Sequence, residues 1–198
     1  MTYAIIGSGA IGTALARQFA RKNIAVRIAN SRGPTSIAPL AAELGAAIEP
    51  VELAEALAAD IVILAVPFTA VADTVAAIAD WQGRVVVDAT NAIDFTDFSP
   101  ADLGGELSSD LVAKQLPGAR LVKGFNTLPA AVLAAEPDAD GGRRTIFVSS
   151  NDAEATAAAA NLIDALGFAP LALGRIDEGG RLQQFGGALT MHSLIKQG

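Results

Sequence analysis

Tyr3-Ala4-Ile5-Ile6-Gly7-Ser8-Gly9-Ala10-Ile11-Gly12 is the stretch that decides the fold. Tyr3 to Ile6 is an apolar run that stops at a glycine, and it reads as a buried strand. From Ala10 to Lys22 the apolar residues Ile11, Leu15 and Phe19 recur at helical spacing. Arg21 and Lys22 close that helix, where cations suit its negative end. Between strand and helix, residues 7–12 fit GxGxxG in the context the motif requires. Gly7 permits the tight turn, Gly9 lets a pyrophosphate approach the backbone, and Gly12 lets helix and strand pack closely. The free N–H groups of Ser8, Gly9, Ala10 and Ile11, with the helix dipole, then favour phosphate, and the Ser8 hydroxyl adds a donor.

Outward from this unit, strand and helix alternate. Strands are expected over 24–29, 46–48, 61–66, 84–87, 121–124, 145–149 and 168–173. Helices are expected over 36–44, 51–57, 67–78, 108–116, 152–166 and 181–196, with Ser108 or Ser109 as a cap. Residues 92–105 and the acidic stretch 136–142 read as loop and turn. The uninterrupted apolar run 61–66 is the kind buried on both faces of a parallel sheet. Alternation of this sort gives an α/β protein of the Rossmann-type, doubly wound class with a mainly parallel sheet. The 198 residues are expected as one domain. Residues after about 124 would form a small C-terminal extension ending in a helix, with no clean boundary in composition.

Composition narrows the partners. Fourteen basic against 21 acidic residues leave a net charge of −7, which repels nucleic acid and anionic membrane surfaces. The absence of cysteine excludes disulfides, zinc–thiolate sites and thiol nucleophiles, and a single histidine excludes a multi-histidine metal site. No stretch reads as a membrane span or a signal peptide, so a cytoplasmic location is expected.

The second strand selects the ligand. Sites for NAD place a carboxylate there, roughly 20 residues past the glycines, to accept the ribose 2′-hydroxyl. Here the strand ends in Asn30-Ser31-Arg32. A guanidinium, a hydroxyl and an amide are offered instead, and Arg32 can fork onto a 2′-phosphate. The expected cofactor is therefore NADP(H). Three more strand ends should reach the same crevice: Ala65-Val66-Pro67, Asp88-Ala89-Thr90-Asn91, and Gly124-Phe125-Asn126-Thr127. Each also fits ordinary turn chemistry. No acid–base pair stands out. Asn126 and His192, the latter expected in the last helix, are the only weak catalytic candidates, so the residues are compatible with a hydride-transfer enzyme, with a non-catalytic NADP(H)-binding sensor or partner protein, and with a small-molecule NADPH dehydrogenase that uses His192 or an Asn as proton partner. Asp73, Asp80 and Glu55 read as solvated helix charges, and Asp94 and Asp97 lack a metal-loop pattern.

The segments GSGAIG (7–12), ANSRGP (29–34), ILAVPF (63–68), VVDATNAI (86–93), LPGARLVKGFNTLPA (116–130) and GRLQQFGGALTMHSLIK (180–196) resemble, in order, the coenzyme F420-dependent NADP oxidoreductase family, in its bacterial dinucleotide-binding branch. The resemblance implies a single-domain protein, often a homodimer, that passes hydride between NADPH and a deazaflavin or flavin as small-molecule hydride acceptor. It implies pyrophosphate contacts at residues 8–12, 2′-phosphate contacts at Ser31 and Arg32, and nicotinamide-side contacts near Val66, Pro67, Asn91 and Asn126. The chain departs from the deazaflavin reductases at Thr69-Ala70, where they resemble one another in carrying a bulky or charged pair that includes a histidine.

Overall fold

The computed structural model describes residues 1–197. In chain order the elements are β1 (Tyr3–Ile6), α1 (Ala10–Arg21), β2 (Val26–Ala29), α2 (Ala38–Leu44), β3 (Ile48–Pro50), α3 (Leu53–Ala56), β4 (Ile61–Leu64), α4 (Val71–Val75) and β5 (Val85–Asp88). There follow β6 (Ile93–Asp94), β7 (Ser99–Pro100), α5 (Ser108–Lys114), β8 (Arg120–Gly124), α6 (Ala130–Ala134) and β9 (Asp138–Ala139). The chain ends with β10 (Gly142–Ser150), α7 (Ala153–Ala165), β11 (Ala169–Ala172), α8 (Arg181–Gln183) and β12 (Ile195–Gln197).

The main sheet runs β11-β10-β8-β5-β4-β1-β2-β3. Strands β3 to β8 along this order are mutually parallel. β10 runs antiparallel to β8, and β11 lies parallel to β10 at the sheet edge, the position that tolerates Pro170. The chain steps outward from β1 to β3 and then returns to the other side of β1 with β4. That reversal opens a crevice at the carboxyl ends of β1 and β4.

The apolar runs work as two-faced strands because side chains alternate. Ile5, Ile63 and Val87 pack with Leu15, Phe19 and Leu162 on the α1 and α7 face. Ala4, Ile6, Val62, Leu64 and Val86 pack with Trp81 and Val112 on the other. Both layers hold the strand ends rigidly beneath the crevice. Among the described residues, no helix is long and apolar enough to cross a membrane.

Four local expectations are corrected. The final helix does not extend over 181–196. It stops after α8, and the chain turns back to pair β12 antiparallel with β10. Gly186 takes φ +84°, and a Cβ there would lie 2.5 Å from Pro100. Met191 also adopts a left-handed conformation, at φ +66°. A helix across two adjacent glycines forgoes about 1 kcal/mol for each, and here the turn conformation is fixed by contact with β7. Leu182, Phe185, Leu189 and His192 therefore share no helical face.

Second, Ser108 and Ser109 are not the cap of α5. They are buried inside its first turn, Leu107 is the capping position, and the distant Gln184 side chain accepts from the Ser108 N–H at 2.8 Å. Third, residues 92–105 hold the two-stranded β6–β7 ribbon, and Asp138–Ala139 of the acidic turn pairs with β10. Fourth, α6 forms where no helix was expected. Its terminal carbonyls are served from α1: Gln18 Nε2 donates to Leu133 O at 2.5 Å and to Ala135 O at 2.7 Å. A helix of five residues has little intrinsic stability, so its existence depends on that tertiary capping.

Candidate nucleotide-binding site

The glycine loop is shaped by two backbone approaches. Gly7 lies at φ +112°, and a Cβ on it would sit 2.2 Å from Ala65 O at the end of β4. A Cβ on Gly12 would sit 1.9 Å from Gly7 O. A side chain at Gly7 would push the loop off the end of β4, and one at Gly12 would push α1 off the loop. Gly9 differs: it is the N-cap of α1, in extended conformation, and a Cβ there would meet nothing within 4 Å. It opens onto the crevice, and no side chain caps the helix. The N–H groups of the first turn of α1 are left for a ligand.

This difference yields a prediction. A Gly9→Ala variant should keep its thermal stability to within about 1 kcal/mol, because its backbone and space are compatible with alanine. Its affinity for a pyrophosphate ligand should fall about tenfold or more, because the methyl occupies the approach to the loop. Scanning calorimetry beside a dinucleotide titration separates the two effects. A variant that melts early and binds normally would refute the assignment.

The β2 end is wired to the loop. Asn30 Nδ2 donates to Ser8 Oγ at 2.7 Å and to Ser36 Oγ at 2.9 Å. Its Oδ1 accepts from the Arg32 N–H at 2.8 Å and from Ser36 Oγ at 3.1 Å. The Asn30 amide is thus committed to shaping the turn. Arg32 is exposed, and its Nη2 reaches Ser8 Oγ at 3.4 Å. The guanidinium thereby hangs over the glycine loop with most of its donors free.

Together these residues line a cleft of about 630 Å3, within the range of small-molecule sites. Gly7, Ser8, Gly9, Asn30, Ser31, Arg32, Ala65, Val66 and Pro67 all face it, as the sequence suggests. Ala10, Ile11 and Gly12 form the first turn of α1 beneath. Leu53 of α3 and Ala70, Asp73 and Thr74 on the α4 side also line it. Their place on the cleft wall is not legible in the sequence, because α3 and α4 are short and their cleft-facing residues follow no motif. Asp73 is exposed but is a cleft residue. A more open hollow of about 730 Å3 is lined by residues 138–143 with Lys196 and Gln197, none of them in the glycine loop or at the carboxyl end of a parallel strand.

Asn91 and Asn126 lie further along the sheet, at the ends of β5 and β8. They bond each other: Asn91 Nδ2 donates to Asn126 O at 2.8 Å, and Asn126 Nδ2 donates to Asn91 Oδ1 at 3.0 Å. Asn126 Nδ2 also donates to Gln183 O at 2.8 Å. Beneath them sits a buried polar cluster absent from the sequence reading. Lys123 Nζ is 2.9 Å from Asp88 Oδ2 and donates to Thr90 O at 2.6 Å, and both side chains are fully buried. Asp88 Oδ1 accepts from the Thr90 N–H at 2.9 Å and its hydroxyl at 2.6 Å. Fully buried Gln183 donates to Phe147 O at 3.1 Å and accepts from Ser149 Oγ at 2.5 Å. One signal was available: Asp88 and Lys123 each end an apolar run with a charge, and the strands pair them in register.

His192 is exposed in the turn before β12, away from the cleft lining. Asp94 and Asp97 accept hydrogen bonds inside the β6–β7 ribbon. The Thr96 backbone N–H at Asp94, and the Ser99 hydroxyl and N–H at Asp97, hold these carboxyls below the usual range. Among the described residues no group of three or more His, Cys, Asp or Glu side chains could hold a metal.

Residues 2–92 match the model of the family described as NADP oxidoreductase, coenzyme F420-dependent. No curated protein matches the chain. Among solved structures it is similar to a hypothetical protein from Sinorhizobium meliloti, at 53% identity and a TM-score of 0.97, covering 99% of this chain and 96% of that one. It is similar to a candidate F420-dependent NADP reductase from Arthrobacter sp. FB24, at 28% identity and a TM-score of 0.73, covering 89% and 86%. A reductive aminase from Aspergillus terreus, solved with NADPH and ethyl levulinate, shares the fold at 22% identity and a TM-score of 0.64. The match covers 88% of this chain and 55% of the aminase.

Proposed function

We propose that this chain, whose residues 2–92 match the model of the coenzyme F420-dependent NADP oxidoreductases, binds NADP(H) in the cleft over α1 and exchanges hydride between NADPH and a flavin or deazaflavin. The observation that carries the proposal is the end of β2. Arg32 hangs over the glycine loop where an NAD site would carry a carboxylate.

The residues fit the cofactor. The open space at Gly9 and the uncapped first turn of α1 suit a pyrophosphate. Arg32 and Ser31 suit a 2′-phosphate, with Asn30 holding their turn in place. Val66, Pro67, Asn91 and Asn126 would flank the nicotinamide half. The cofactor supplies the hydride when bound. The protein's part is orientation and exclusion of water, and neither needs an acid or a base. That division of labour suits a cleft whose strand ends carry amides held by mutual hydrogen bonds. Asn126, whose amide hydrogens are already donated, serves as a positioning group in this reading.

The test is a pair of titrations of the wild-type protein, following nicotinamide fluorescence. NADPH is expected to bind at least about tenfold more tightly than NADH, the value of a charge-assisted contact to phosphate. Equal affinity for the two would overturn the cofactor assignment.

A further inference from the structure

We infer that Asp73 selects the base of the dinucleotide, accepting a hydrogen bond from the exocyclic amine of adenine. The inference rests on the NADP(H) reading and adds to it a determinant of base specificity.

Charge in the cleft is unevenly placed. Arg32 and the uncapped turn of α1 are electropositive, and Asp73 is the one carboxylate among the lining residues. No ion pair to Asp73 exists among the described residues. A free carboxylate in a cleft for a polyanion is unfavourable unless the ligand turns a donor toward it. Its position in the first turn of α4 explains why an acid is tolerated there. It does not explain why the acid faces the cleft.

The ligand has few donors to offer. With the 2′-oxygen phosphorylated, the adenosine half keeps the ribose 3′-hydroxyl and the 6-amino group. The 3′-hydroxyl neighbours the 2′-phosphate on the ring, and so goes with the group assigned to Arg32. The amine is the donor at the far end of the purine. Asp73 lines the cleft from α4, with Leu53 of α3 and Ala70 lining it too, and those two offer apolar surface that suits the flat of a purine. The neighbouring Thr74 hydroxyl donates instead to Ala70 O at 2.6 Å. Asp73 is therefore the acceptor this wall presents.

The experiment titrates NADPH and its 6-deamino purine analogue, in which hydrogen replaces the 6-amino group. Both are offered to the wild-type chain, Asp73→Ala and Asp73→Asn. The wild type should prefer NADPH by about tenfold, since a carboxylate facing that position loses its donor. Asp73→Ala should bring the ratio close to one. Asp73→Asn, whose amide can accept or donate, should bind both within a fewfold. Melting curves of the free variants check folding, which an exposed residue is expected to leave intact. A wild type that does not discriminate, or an Asp73→Ala variant that keeps the preference, overturns the inference alone. Failure of the wild type to bind either dinucleotide overturns the NADP(H) reading and the inference with it.

Discussion

An Arg32→Ala variant is expected to bind NADPH about ten- to a hundredfold more weakly and NADH within a fewfold of wild type. The guanidinium makes one long hydrogen bond to Ser8 Oγ, at 3.4 Å, and the shape of the turn comes from Asn30 rather than from Arg32. Truncation should therefore leave the cleft intact and remove only the charge that answers the 2′-phosphate. The two cofactors differ at that phosphate alone, so their ratio isolates the contact. Arg32→Lys should recover part of the preference, since an ammonium keeps the charge and loses the fork geometry. Raising the salt should narrow the difference, because the site is exposed. Equal losses for both cofactors, or a loss for neither, would contradict the assignment of Arg32 to the 2′-phosphate.

A Lys123→Met variant is expected to lose about 3–5 kcal/mol of stability, the usual cost of removing one partner of a buried ion pair. For a chain of this size that lowers the melting temperature by about 10 °C. The loss comes from Asp88, left charged and fully buried with only the Thr90 donors to answer it. Adding Asp88→Asn to Lys123→Met should restore part of the stability. The neutral amide still accepts from Thr90 and needs no counter-charge. Such non-additivity is the sign of a direct pair. If the double variant is as unstable as the sum of the singles, the two residues are not coupled as the geometry indicates. Because Thr90 leads directly into Asn91, the same variants should loosen the amide pair at the β5 and β8 ends.

Much of this was legible in the sequence, for reasons that can be named. The apolar runs of β1, β4 and β5 are unmistakable because both their faces are buried, and the glycine loop is legible because Gly7 and Gly12 answer to local backbone geometry. Arg32 could be read because its meaning depends on distance along the chain from that loop. What stayed hidden depends on partners far apart in sequence. The end of the Arg181 helix is set by Pro100 against Gly186. The cap of α5 comes from Gln184, and α6 depends on Gln18. The place of Asp73 on the cleft wall follows from how α4 leaves β4, which the charge pattern of a short helix does not encode. The Asp88–Lys123 pair lies between: each residue is conspicuous as a charge after an apolar run, but only the strand order brings them together.

The proposed passage of hydride between NADPH and a flavin or deazaflavin is tested by anaerobic oxidation of NADPH by the purified chain, with the deazaflavin, FMN and FAD offered in parallel and NADH as control. The expected result is rapid, enzyme-dependent oxidation of NADPH with matching reduction of one of these acceptors, and far slower oxidation of NADH. NADPH that binds but reduces none of them would contradict it.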